Sequence, residues 1–159
     1  KLAADKRVVA IGECGLDKLC ETDWALQLTF FRKQVRLADT LSKPLIIHCV
    51  RAYEEVINVL DEEIVEVPVV FHGYNKNNVL AQRLLNKGYF LSFGAALLKG
   101  NARIQEVMIN IPKDRFFAET DNSDMSIVDV YHCIAEIRKT DVDAIILQLE
   151  NNFKSVFKQ

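Results

Sequence analysis

Four residues in this sequence have the types and spacing to do chemistry together: Glu13, His48, His72 and Asp121. Each lies at or next to the end of an apolar run of strand length, in "RVVAIGE" (7–13), "KPLIIHC" (43–49), "VPVVFHG" (67–73) and "RFFAETD" (115–121). A buried polar group without a partner costs roughly 2–7 kcal/mol, so four such endings call for a common partner. Two imidazoles and two carboxylates gathered at one rim form a mixed nitrogen and oxygen donor set for one or two divalent cations. Such a set suits zinc, manganese, iron or cobalt better than calcium, with magnesium at its carboxylate-rich side. Taken singly, each residue has a plainer reading. His48 is a hydrogen-bonded core or loop residue, Glu13 satisfies backbone donors at a tight turn, His72 belongs to a turn, and Asp121 caps the next helix. Their recurrence at equivalent positions is what favours a metal centre.

Positioning those residues requires strands that open on a common face. A fifth apolar run, "GYFLSFG" (88–94), joins the four above, and all five read as continuous apolar strands of the kind buried on both faces of a parallel sheet. Between and after them lie stretches with helical spacing of apolar residues, such as "WALQLTFFRKQVRLADTLS", "AYEEVINVLDEE" and "NNVLAQRLLNKG". This β-α rhythm predicts an α/β fold with right-handed crossovers, either doubly wound or closed as a TIM-type (βα)8 barrel. In both, sites assemble at the carboxyl ends of the strands. No glycine-rich phosphate loop follows the first strand, which disfavours a dinucleotide-binding fold. A full barrel takes about 250 residues, whereas this chain has 159 and five readable strands.

Half of the residues are hydrophobic, 26% are charged and the net charge is −2. That composition supports one globular domain over residues 1–159 and no strongly basic nucleic-acid face. No apolar run approaches the roughly 20 residues that span a bilayer. The four cysteines, Cys14, Cys20, Cys49 and Cys133, lack CxxC spacing and read as free thiols in a cytoplasmic protein. No membrane contact and no obligate protein partner is expected.

The blocks "IGECGLD" (11–17), "PLIIHCVRA" (44–52), "FHGY" (71–74), "LSFG" (91–94) and "AETD" (118–121) resemble, in order, the signature blocks of the TatD family of metal-dependent deoxyribonucleases. "LENNFKSVF" (149–157) resembles that family's last helix. The resemblance implies a barrel of the amidohydrolase kind with a one- or two-metal centre that hydrolyses phosphodiester bonds in DNA. It implies that Glu13 bridges the metals, that His48 and His72 complete one site, and that Asp121 belongs to the other and orients or deprotonates the attacking water. Arg51 matches the basic residue that meets the phosphate, and its planar fork suits two oxygens at once. Read without the family, Arg51 starts a helix and pairs with Glu54 or Glu55. Asp17 matches the "GLD" turn, where a supporting role is expected; Cys49 reads as packing, and His132 as peripheral.

Two features depart from the family. Its opening His-x-His pair has no counterpart, since the three histidines are His48, His72 and His132. "NSDMSIVDVYH" (122–132) lacks the usual proline-rich loop and arginine. In family terms the chain holds the C-terminal five β/α units, with the N-terminal three missing. These 159 residues alone are then expected to bind one metal weakly or not at all and to be inactive, while the full-length protein is the enzyme. Two other readings stand beside the nuclease: an amide or ester hydrolase on the same barrel, and a non-catalytic remnant of the fold.

Overall fold

The apolar segment beginning at Arg7 enters a sheet only from Ile11, whose N–H donates to Pro44 O at 2.8 Å. Upstream, Val8 N–H is taken up by Asp5 O in a turn, so the valines there have strand character without a strand partner. Strand β1 therefore covers Ile11–Asp17, four residues later than its apolar pattern suggests. In the computed structural model, which describes residues 2–157, the chain divides between Phe71 and His72 into two units.

The first unit runs β1, α1 (Trp24–Thr40), β2 (Leu45–Val50), α2 (Tyr53–Glu62) and β3 (Val69–Phe71). β1 pairs in parallel with β2, and β2 with β3. Helix α1 starts where its pattern predicts because Asp23 caps it, accepting the Leu26 N–H at 2.9 Å. Its Phe31, Val35 and Ala38 are buried, as are Leu45 and Ile47 of β2 and Val56, Ile57 and Leu60 of α2. Tyr53 stacks on Phe71 with ring centroids 5.9 Å apart. On the outer side Arg32 and Arg36 of α1 both reach Glu63, and Arg32 also pairs with Glu62. Arg36 and Glu62 are well solvated and Glu63 is not, its side chain being 10% exposed, so the pairs around Glu63 are the less screened ones.

The second unit runs α3 (Asn78–Asn86), β4 (Phe90–Phe93), α4 (Ala95–Leu98), α5 (Ala102–Asn110), β5 (Phe116–Ala118), α6 (Ile127–Arg138) and α7 (Val142–Phe157). β4 and β5 are parallel. Phe93, Ile104, Met108, Phe116 and Ile134 have no measurable exposure. Helix α6 is capped by Ser126, which accepts the Val128 N–H at 3.2 Å, and not by Asp121.

Asn152 of α7 is buried, with 2% exposure. Its Nδ2 donates to Lys113 O and Phe116 O, both at 2.9 Å, while its Oδ1 accepts from Gln148 at 2.8 Å. One amide thus ties the last helix to β5. Asn152→Ala leaves two carbonyls without that donor and is expected to cost about 1–3 kcal/mol. Urea unfolding monitored by circular dichroism measures this, and an unchanged midpoint would mean that water replaces the amide at no cost.

Candidate metal centre

Glu13 does not end its strand. It sits in the middle of β1, where Ile11 pairs with Leu45 and Cys14 with Ile47, so Gly12 and Glu13 together face Ile46. That extra residue is a bulge, a device that re-aims a side chain. Here it leaves Glu13 exposed between buried Ile11 and buried Cys14. Burial pushes the Cys14 thiol up to about 12, and its Sγ lies 3.7 Å from Ile46 O.

His48 likewise lies inside β2, opposite Gly15 in the register. A β-carbon at Gly15 would lie 1.8 Å from His48 O, so only glycine lets the two backbones approach this closely. Asp17 faces the same ring, with Oδ2 3.5 Å from His48 Nε2, and its Oδ1 accepts the Leu19 N–H at 2.7 Å. His72 is the first residue after β3, so the strand end sets its backbone position.

One ligand atom of Glu13 and one of His48 lie within 4.8 Å of each other. Donors at about 2.0–2.2 Å from a shared ion stand at most about 4.4 Å apart, so a small adjustment would seat a cation. An imidazole and a carboxylate also have the right chemistry for a zinc- or manganese-like ion. The donor set fits.

Asp121 belongs to the second unit. It follows β5 by three residues, has a φ of 47° and is exposed. It lines a cleft of about 590 Å³ with Gly73, Lys76, Lys99 and Glu119. Arg51 is exposed at a φ of 54°, between the end of β2 and Ala52, the residue that precedes α2. Glu55 pairs with Lys18. Cys49 is half-buried, and His132 lies on α6 beside a surface groove shared with Glu136 and Lys139.

Glu119 has a place at the site that the sequence reading missed. Its Oε1 accepts the Gly73 N–H at 2.7 Å and lies 3.8 Å from His72 Nδ1. The available signal was a second carboxylate two residues before Asp121, in the same "AETD" block.

A family model described as TatD related DNase matches residues 1–158. An uncharacterized metal-dependent hydrolase of Bacillus subtilis (strain 168), YabD, is 32% identical over 99% of this chain and 68% of its own. One from Buchnera aphidicola subsp. Baizongia pistaciae is 31% identical over 99% of this chain and 65% of its own. A protein of Erwinia tasmaniensis called 3'-5' ssDNA/RNA exonuclease TatD is 32% identical over 76% of this chain and 48% of its own. The crystal structure of YJJV, a TatD homolog from Escherichia coli K12, superposes with a TM-score of 0.88 at 24% identity, covering 97% of this chain and 65% of that one. This last likeness shows an α/β fold with parallel strands of the kind seen in that homolog. The chain spans about two thirds of the length of the metal-dependent hydrolases it matches.

Proposed function

The chain belongs to the TatD related DNase family, and we propose that its protein is a metal-dependent hydrolase that cleaves phosphodiester bonds in DNA. Support comes above all from one observation: Glu13 and His48, on the paired strands β1 and β2, bring ligand atoms within 4.8 Å of each other. In this reading Glu13, His48 and His72 hold one divalent cation and the five β/α units belong to a (βα)8 barrel. Magnesium, manganese, zinc and cobalt are the candidate ions. When bound, such a cation supplies Lewis acidity, lowering the pKa of water from about 15.7 toward 7 and offsetting charge on a phosphoryl group.

The remaining steps fall to side chains. Asp121, exposed at the rim of its cleft, takes the proton of the attacking water and helps to hold a second cation. Arg51 lays its guanidinium against two phosphate oxygens. Asp17, facing His48 Nε2, keeps that ring turned. No helix among the described residues is long and apolar enough to cross a membrane, and the four cysteines are free, which accords with a cytoplasmic site of action.

The test is Asp121→Asn in the full-length protein, assayed on end-labelled single-stranded DNA and on generic ester and amide substrates with manganese present. Turnover of DNA is expected to fall about 10²–10⁴-fold, the usual worth of a positioned proton acceptor, while manganese affinity at the Glu13 site holds. Wild-type turnover by the variant removes Asp121 from the reaction. Hydrolysis of esters or amides without cleavage of DNA removes the phosphodiester.

A further inference from the structure

His72 occupies the turn that leaves β3, and the next residue, Gly73, adopts a φ of 60°. What holds that turn is a side chain from the end of β5. The Gly73 N–H donates to Glu119 Oε1 at 2.7 Å, and the same oxygen stands 3.8 Å from His72 Nδ1. The two side chains are 10% and 18% exposed for His72 and Glu119, so their interaction is poorly screened by solvent.

Glu119 itself has little freedom. Its N–H donates to Phe93 O at 2.9 Å, which fixes its backbone against the end of β4. Its carbonyl lies so near Gly94 that a β-carbon there would sit 2.6 Å from Glu119 O. The carboxylate is therefore delivered to His72 from a fixed origin, in contrast to the exposed Asp121 two residues on.

A carboxylate facing one imidazole nitrogen favours the tautomer with its proton on that nitrogen, which leaves the other nitrogen a lone pair. At 3.8 Å the carboxylate acts through its charge, and a small ring rotation would shorten the approach to a hydrogen bond. We infer that Glu119 is a positioning residue for His72: it clamps the turn through Gly73 N–H and selects the Nδ1–H tautomer, so that Nε2 is presented to a divalent cation. Its purpose rests on the metal reading of His72 given above, but the tautomer does not depend on a metal being bound.

The experiment uses two variants of the full chain. Glu119→Gln keeps the size and an acceptor oxygen for Gly73 but loses the charge; Glu119→Ala loses both. In metal-free protein, long-range nitrogen–proton NMR correlations of the imidazoles should show His72 protonated on Nδ1 in the wild type. The population should shift toward Nε2–H, the form a free imidazole favours, in both variants. Titration with cobalt(II) should rank wild type above Glu119→Gln and Glu119→Ala last, with a loss of about 10–100-fold for the alanine variant.

Wild-type His72 carrying its proton on Nε2 would overturn the inference. So would an alanine variant that loses thermal stability while the tautomer stays put, because that is the behaviour of a purely structural clamp. Should the wild type bind no cobalt(II), the metal reading fails on its own, and the metal-free spectra still decide what Glu119 does to the ring.

Discussion

Replacing Gly15 with alanine is expected to lower stability by about 3 kcal/mol or more, the upper end of what overpacking costs, and to abolish cation binding. The added methyl would sit 1.8 Å from His48 O and 2.8 Å from the carbonyl carbon. Both belong to the backbone of β2, so no rotamer change can relieve the overlap. The strands must move apart, and that displaces His48, the residue opposite Gly15 in the register. Chemical denaturation and a manganese titration of the same sample read the two effects separately. A variant with unaltered unfolding midpoint and affinity would mean that β1 and β2 do not approach this closely in solution.

Replacing His48 with alanine should leave the fold in place and weaken cation affinity by at least about 100-fold, beyond what loss of a merely supporting residue costs. The imidazole is half-buried in β2, and its removal takes away a donor that stands within 4.8 Å of one from Glu13. Calorimetric titration with manganese or cobalt(II) gives the affinity, and the visible spectrum of bound cobalt(II) reports the change in donors. His132→Ala is the control: that ring lies on α6 beside Glu136 and Lys139 and should have no effect. Equal affinities for the His48 variant and the wild type would remove His48 from the site.

Much of the chain's organisation was legible because burial leaves a periodic trace. Helix α1 starts at Trp24, where apolar spacing and the Asp23 cap coincide. The alternation of strands and helices also came through, including β3 with all three of its residues buried. Strand limits were less readable, because an apolar run such as Val8–Ala10 signals strand character but not whether a neighbour is present to pair with it. Glu13 illustrates the problem: it was expected to end a strand, yet β1 continues to Asp17 through a bulge, whose extra residue shows only in the register against β2. Four-residue α4 is too short to establish a period. At the candidate site, His48 and His72 stood out as polar residues in apolar surroundings. Glu119 did not, because "ETDNSD" (119–124) offers three acidic side chains in six residues and its contact lies far back in the chain, at Gly73.

The tie made by Asn152 has a practical consequence for anyone shortening this protein. Deletions that stop before Asn152 would strip the donor from Lys113 and Phe116 and free the root of β5, the strand that leads into Glu119. The damage would then pass to the loop bearing His72, making the carboxyl tail a remote determinant of how well the site keeps its shape.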